Sequence, residues 1–414
     1  MRRVEIIMSL FLMMGLLGCV EKEEKTNVIT VDVTTTYPKK ELVLQDLMDV
    51  EYIPLETNDE FITQGSVMAI GEKYILVKNW SHDGNIFVFD RKTGKGIRKI
   101  NRKGQGDGEY SFINGIILDE DNNEMFVNCA STKKIYVYDL SGNFKRDFKH
   151  VEGGEYLEVF NYDKNNLICY DMSLYYKEGQ PREENRSYHL IISKQDGSVT
   201  QKIYIPFDVI KTPVVQKGGA VAMTSIRSII PYRKEWLLVE TSSDTVYNYV
   251  PEKNQLNPFL IKSPTRDLEI LLTMGVVTDR YCFMHTVKKD FDFTTGRGFL
   301  ITDLMYDKQE NAVFEANVLN GDFVEKQNVD MLSDPMNGDE IVAIQPLAAN
   351  KIVDAYKNDG LKGKLKEIAA GLDEESNPVI MLVKNRESII FKVSGENFAG
   401  GFLIFIPKYQ VYRN

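Results

Sequence analysis

The chain has 414 residues, an apolar content of 43% and a formal net charge of −10 at pH 7. This acidic balance argues against nucleic acid as a partner, because proteins that bind nucleic acid present basic surfaces to the phosphates. The apolar content is sufficient for a substantial core, and the 21 tyrosines and 21 phenylalanines favour β-strands. Composition thus indicates a folded protein rich in strands, built as one large β domain or two smaller ones.

The first 18 residues have the order of a secretory signal peptide. Arg2 and Arg3 form a basic start, and an apolar run follows from Ile6 to Leu17. This run is too short to span a bilayer, which needs about 20 apolar residues. It ends in Leu16-Leu17-Gly18-Cys19, which resembles the lipobox of bacterial lipoproteins, where the cysteine is acylated and becomes the new N terminus. We predict a signal peptide over residues 1–18 and lipidation of Cys19; an ordinary signal peptide with an incidental cysteine is the alternative.

Residues 19–27 have no apolar pattern and are predicted to form a flexible acidic tether. The acidic cluster Glu21-Lys22-Glu23-Glu24 resembles the surface-export signal of Bacteroidetes lipoproteins. A plain charged linker, which would have the same pattern, is the alternative. The expected location is therefore the outer membrane, at the cell surface, with the periplasmic face as the alternative.

Degenerate repeats occupy the region from residue 28 to residue 384. The clearest unit, Gly106 to Phe148, contains four short strands joined by polar turns, which is typical of a propeller blade. The preceding unit repeats the pattern: Phe89-Asp90 and Tyr138-Asp139, each followed by a glycine-containing turn, are 49 residues apart. Four looser units follow, and the first of these, the third unit of the chain, has a polar insertion from Lys177 to Arg186. The repeats predict an all-β, six-bladed propeller of four-stranded antiparallel blades.

The sixth unit differs from the others. Its predicted strands are Ile341–Leu347, Lys351–Tyr356 and Val379–Lys384, and a short helix is predicted over Leu361–Ala370. The unit lacks a fourth strand, whereas Val28–Val33 is a spare strand at the other end of the chain. We therefore predict that this N-terminal strand closes the last blade, because closure pairs edge groups that would otherwise remain open.

Three motifs link these repeats to a known family. Glu51–Thr57, taken to open the first blade, Gly104–Tyr110 between the first two blades, and Asn377–Lys384 near the end resemble the six-bladed β-propeller lipoproteins common in gut Bacteroidetes, which are related to NHL-repeat propellers. Asp107 stands where the usual linker has proline. The resemblance implies a fold and a location but no activity. Residues 385–414 extend beyond it, with strand-like stretches at 389–393 and 402–406, and their role is not predicted.

Two loops are the best candidates for a binding surface. The first is Trp80-Ser81-His82-Asp83 and the second is the stretch from His285 to Thr295, both expected between the second and third strands of a unit. Aromatic and charged side chains on a loop can stack on sugars and bind hydroxyl groups, and propellers place function on such loops; ordinary solvated loops are the alternative. The predicted ligand-binding residues are Trp80, His82, Asp83, His285, Lys288, Asp290 and Asp292.

No motif predicts chemistry. The sequence contains no HExxH, no GxSxG and no CxxC, so we predict no catalytic residue, no metal site and no cofactor. The favoured function is a non-catalytic binding or scaffold module for a glycan, a peptide or another outer-membrane protein, attached to the membrane through Cys19. A propeller enzyme acting on polysaccharide, as a lyase or hydrolase, and a sensory protein coupled to a membrane partner are the alternatives.

Overall fold

The computed structural model describes residues 28–264, 270–331 and 340–386. The predicted signal peptide, Cys19 with its tether, and the strand-like stretches after residue 386 lie outside the described residues. The described chain begins with three strands and one short helix: β1 (Ile29–Asp32), β2 (Lys39–Val43), α1 (Leu44–Leu47) and β3 (Asp49–Pro54).

Three antiparallel four-stranded blades follow in chain order. Blade one contains β4 (Ser66–Ile70), β5 (Tyr74–Lys78), β6 (Asn85–Asp90) and β7 (Gly96–Asn101). Blade two contains β8 (Gly115–Asp119), β9 (Glu124–Cys129), β10 (Lys134–Asp139) and β11 (Phe144–Lys149). Blade three contains β12 (Tyr156–Asn161), β13 (Asn166–Asp171), β14 (His189–Ser193) and β15 (Val199–Ile203).

A separate hairpin, β16 (Val214–Lys217) and β17 (Ala220–Met223), leads to the remaining blades. Blade four contains β18 (Ile229–Tyr232), β19 (Glu235–Leu238), β20 (Thr245–Val250) and β21 (Gln255–Ser263). Blade five contains β22 (Ile270–Val277), β23 (Tyr281–Lys288), β24 (Leu300–Asp307) and β25 (Ala312–Asn320), followed by β26 (Gln327–Asn328). Blade six contains β27 (Ile341–Leu347), α2 (Ala349–Lys357), α3 (Gly363–Ala369) and β28 (Val379–Lys384).

The first strands of neighbouring blades contact one another at five of the six junctions, and at the sixth the Glu158 carboxylate of β12 accepts a 3.0 Å hydrogen bond from the Ile229 backbone N–H of β18. The predicted six-bladed propeller is thus confirmed. The described residues form six apolar clusters, one at each junction between blades. Side chains alternate between the two faces of a strand. In the fully buried strand β9, Met125 and Val127 face blade one, whereas Phe126 faces blade three. Each blade therefore needs a neighbour on both sides to bury its strands.

An N-terminal strand does close the last blade, but it is not the one predicted. β3 pairs antiparallel with β28, with Tyr52 opposite Met381. The Glu51–Thr57 motif thus belongs mainly to blade six and does not open blade one. The predicted closing strand, Val28–Val33, instead forms β1, which pairs parallel with the outer strand of blade four, Ile29 opposite Leu260.

The alternating burial of β1 explains this placement. Ile29 and Val31 are buried in the cluster between blades four and five, while Thr30 is exposed, as suits an outer edge strand. In β3, the adjacent residues Tyr52 and Ile53 are both buried, one toward each neighbouring blade. β2 adds in parallel to the outer strand of blade five. Residues 29–54, which we call the N-terminal strap, thus cover two outer edges and complete the last blade.

Blade six has three strands among its described residues, in the order β27, β28, β3. The predicted strand Lys351–Tyr356 is wrong, because these residues lie within α2. Ala349, Ile352 and Val353 share the buried side of that helix at i, i+3 and i+4 spacing. The predicted helix over 361–370 is confirmed as α3, and the predicted insertion in blade three lies between β13 and β14 as expected.

The seam between the last and first blades generates a testable prediction. Gly94, in a turn of blade one with φ +70°, lies so close to β3 that an added Cβ would be 2.0 Å from the Pro54 carbonyl oxygen. Gly218 also has positive φ, +57°, but an added Cβ there meets no atom within 4 Å. We expect Gly218→Ala to cost about 1–2 kcal/mol from backbone strain alone and Gly94→Ala to cost clearly more. Thermal unfolding followed by circular dichroism measures both; equal losses would contradict the close approach of β3.

Candidate functional site: a cavity beside blade five

A cavity of about 900 Å³ lies beside blade five. Its walls come from β4, β22 and β27, from the loop at residues 224–227, and from the outer part of blade five. Three blades, one, five and six, contribute to it together with the loop that precedes blade four, so the site exists only in the assembled ring.

The cavity exists because two strands of blade five separate. β24 and β25 pair only from Leu304 opposite Glu315 to Asp307 opposite Ala312. Past this point, β25 pairs with β26 instead, with Leu319 opposite Asn328. The half of β24 that is not paired with β25 lines one side of the resulting space, and residues 316–318 of β25 line the other side.

His285 on β23 lines the cavity and is only 8% exposed. Neither its Nδ1 nor its Nε2 has a hydrogen-bond partner among the described residues. The other buried histidines differ: His150 Nε2 lies 3.0 Å from Asn128 Oδ1, and His189 Nε2 lies 3.1 Å from the Ser228 carbonyl oxygen. Burial lowers the pKa of His285 to about 4, so its ring is neutral at physiological pH. A buried polar group without a partner is costly, so a bound molecule is a good explanation for it.

Asp303 on β24 is the cross-strand neighbour of His285. It lines the cavity and is exposed, and its carboxylate forms no ion pair or hydrogen bond with the described residues. Partial burial, together with the negative charges of Asp330 and Glu315, raises the pKa of Asp303. Asp330 also lines the cavity, as does Arg227, whose guanidinium lies 3.9 Å from the Glu158 carboxylate.

Trp80 supplies an aromatic surface to the same cavity. Its side chain is 65% exposed, although its backbone N–H donates a 2.7 Å hydrogen bond to Gln64 Oε1, which holds the loop in place. Three neutral polar side chains, Ser225, Asn317 and Gln345, also line the cavity. The Oε1 atom of Gln345 is buried without a hydrogen-bond partner among the described residues. The cavity thus combines a flat apolar surface with open hydrogen-bonding groups.

The other predicted residues of the first loop do not line this cavity. Asp83 maintains the loop itself: its carboxylate accepts hydrogen bonds from the Asn85 backbone N–H at 2.9 Å and from Asn79 Nδ2 at 2.8 Å. His82 packs its ring against Phe112, with centroids 4.4 Å apart. These contacts give both residues a structural role in holding Trp80.

The second predicted loop begins later than expected, because β23 continues to Lys288. Lys288 lies 3.9 Å from Asp290, and both side chains are well exposed. Asp292 accepts a 2.9 Å hydrogen bond from the Thr294 backbone N–H within its own turn. None of these three residues lines the cavity. Of the seven predicted ligand-binding residues, the structure brings Trp80 and His285 together.

The remaining chemistry of the described chain is sparse. Residues 28–264, 270–331 and 340–386 contain no group of three histidine, cysteine or acidic side chains placed to hold a metal ion. Cys129, Cys169 and Cys282 are buried free thiols. No helix in the described part of the chain is long and apolar enough to cross a membrane.

The unpartnered nitrogens of His285 lead to a stability prediction. His285→Leu removes polar atoms that have no protein partner, so the free energy of unfolding should stay unchanged or rise. His150→Leu is the matched control, because its ring is equally buried and accepts a 3.1 Å hydrogen bond from the Tyr156 backbone N–H. That variant should lose about 1–3 kcal/mol. Denaturant unfolding measures both, and a comparable loss for His285→Leu would show that this histidine has a structural role.

Comparison with known proteins supports the fold. A candidate exported protein from Bacteroides fragilis superposes with a TM-score of 0.53 at 14% identity, covering 84% of this chain and 99% of that one. A DUF4221 family member from Bacteroides vulgatus gives a TM-score of 0.43 at 9% identity, covering 82% and 96%. No curated protein sequence matches the chain. The match to the Bacteroides fragilis protein confirms, at the level of the fold, the predicted resemblance to six-bladed propeller proteins of Bacteroidetes. Residues 27–384 match the model of the domain of unknown function DUF4934, and the chain therefore belongs to the DUF4934 family.

Proposed function

We propose that this protein is an outer-membrane lipoprotein, exposed at the cell surface, whose propeller binds a glycan without transforming it. Export and anchoring rest on the lipobox-like Leu16-Leu17-Gly18-Cys19 and the acidic tether behind it. The candidate exported protein from Bacteroides fragilis that shares the fold is consistent with export.

The observation that carries the binding function is the buried His285 ring, which faces the cavity without a protein partner. A neutral imidazole offers one N–H donor and one lone pair. Sugar hydroxyl groups are both donors and acceptors, so they can satisfy the two nitrogens at once. The open Oε1 of Gln345 can accept a further hydroxyl hydrogen.

Trp80 makes a sugar a better fit than other polar ligands. One face of a pyranose ring presents C–H groups, which pack against a flat indole surface, while its rim presents hydroxyls to Asn317 and Ser225. The cavity volume of about 900 Å³ lies within the usual range for ligand pockets. It is large enough for a short oligosaccharide.

The glycan proposal is tested by a thermal-shift screen of the full chain, purified in detergent, against plant and host glycan fragments. A fragment at about 100 times its Kd should stabilise the fold by roughly 2.7 kcal/mol. Trp80→Ala should weaken binding of any such fragment about 10-fold, because it removes the stacking surface. Tyr176→Ala is the control, since Tyr176 is equally exposed, at 67%, but does not line the cavity.

Two outcomes would contradict this proposal. Equal losses of affinity in the Trp80 and Tyr176 variants would place binding outside the cavity. Chromatography of each stabilising fragment after incubation would detect shortened or unsaturated products, and their formation would make the protein an enzyme instead of a binding module.

Anchoring is tested by metabolic labelling with a radioactive fatty acid. The wild-type chain and Cys129→Ala should both carry label, whereas Cys19→Ala should carry none, because Cys129 is buried in blade two and Cys19 supplies the acylated thiol. Protease added to intact cells should degrade the wild-type protein if it is surface-exposed. Label on the Cys19 variant would rule out the lipobox, and full protection from protease would favour the periplasmic face.

A further inference from the structure

One wall of the cavity carries an uncompensated negative charge. Asp303 faces the cavity without an ion-pair partner among the described residues. Asp303 is exposed on its strand, unlike two buried carboxylates of the propeller that are ion-paired: Asp119 lies 2.6 Å from Lys194, and Asp307 lies 2.8 Å from Arg280. Because the Asp303 carboxylate is exposed at the cavity wall and has no counter-ion among the described residues, it is available to a cation that enters the cavity.

The charged groups around Asp303 do not neutralise it. Asp330 lines the same cavity, and Glu315 is close enough for both to raise the pKa of Asp303. Glu315 itself is paired with Lys39, at 3.3 Å. The cation lining the cavity, Arg227, lies near Glu158, on the side of blades three and four. The Asp303 side therefore remains acidic.

His285 adds an independent observation at the same place. It is the cross-strand neighbour of Asp303, is more than nine-tenths buried, and leaves both ring nitrogens open. A neutral imidazole contributes no positive charge to offset the carboxylate, but it does offer a lone pair beside it. The two side chains together form an acceptor pair of carboxylate oxygen and imidazole nitrogen.

We propose that the glycan carries a free amino group, as in a hexosamine that is not N-acetylated; this inference rests on the proposed glycan-binding function. Its ammonium group binds between the Asp303 carboxylate and a ring nitrogen of His285. An ammonium group has three donors, and its positive charge can pair with the Asp303 carboxylate. Trp80 then stacks on the sugar ring, and Gln345 binds a hydroxyl.

A basic peptide also carries ammonium groups, but the cavity fits it less well. The remaining polar lining, Ser225, Asn317 and Gln345, consists of neutral hydroxyl and amide groups suited to sugar hydroxyls. The exposed indole of Trp80 suits a flat ring better than a flexible lysine chain.

The test compares the binding of a short glucosamine oligomer with that of its N-acetylated form. Isothermal titration calorimetry measures both affinities for the full chain in detergent, at a mildly acidic pH where the amine is charged. The wild type should bind the free amine at least about 10-fold more tightly, as expected for a charge-assisted hydrogen bond. This preference should shrink as salt is added. Asp303→Asn should abolish the preference without weakening the N-acetylated oligomer, whereas Asp290→Asn, which alters an exposed acid outside the cavity, should retain it.

Each result is decisive. Equal binding of both oligomers by the wild type would overturn the amino-sugar inference and leave glycan binding intact. A preference that survives in Asp303→Asn would place the ammonium group elsewhere. Binding of an oligolysine peptide in place of either sugar would overturn the glycan assignment itself. The wild-type comparison of the two oligomers decides the inference even if the Asp303 variant folds poorly.

Discussion

The pairing of β3 with β28 is the interaction on which the rest of the fold depends. It brings residues from the two ends of the described chain into one sheet, so that blade six can pack against blade one. The seam is further held by Asn377. Its Oδ1 accepts a 2.8 Å hydrogen bond from the Thr63 backbone N–H, and its Nδ2 donates to the carbonyl oxygens of Glu56 and Phe61, in the segment between β3 and β4. Arg91 of blade one adds a 2.9 Å ion pair with Glu51 of β3. An open ring would expose the apolar cluster at this junction and leave edge strands unpaired.

The cavity depends on the same closure. Trp80 belongs to blade one and His285 to blade five, and blade six lies between them. The two side chains line one cavity only because β27 and the strap fix the position of blade one relative to blade five. Ligand binding and ring closure are therefore thermodynamically coupled, since a ligand that contacts both sides of the seam stabilises the closed ring.

Local chemistry determined how far the sequence could predict this structure. The turn after Phe89-Asp90 was predictable because Asp90 accepts a 2.8 Å hydrogen bond from the Thr93 backbone N–H, an interaction within a few residues. The partner of β1 was not, because half-buried alternation looks the same whichever outer edge a strand joins. The helical spacing of Ile352 and Val353 was present in the sequence, but a short apolar stretch is ambiguous between helix and strand.

The same contrast, between features set by nearby residues and features set by distant ones, applies to the candidate site. A tryptophan in a polar loop is visible in a sequence, and Trp80 was predicted in this way; the structure places it at the cavity. The four histidines look alike until their partners are known, and only the structure separates the unpartnered His285 from the hydrogen-bonded His150 and His189. Asp303 was not predicted as a site residue, because its place at the cavity depends on the separation of β24 from β25, and no residue pattern predicts that separation.

The central claim is that His285 is open to a ligand, and nuclear magnetic resonance of the histidine side chains tests it most directly. With histidine labelled selectively, the chain gives four imidazole signals, and the His285 signal is assigned by its loss in His285→Leu. Titration with the glycan that gives the largest thermal shift should move the His285 signal and leave those of His150 and His189 unchanged. Saturation of binding without any change at His285 would show that the cavity beside blade five is not the binding site.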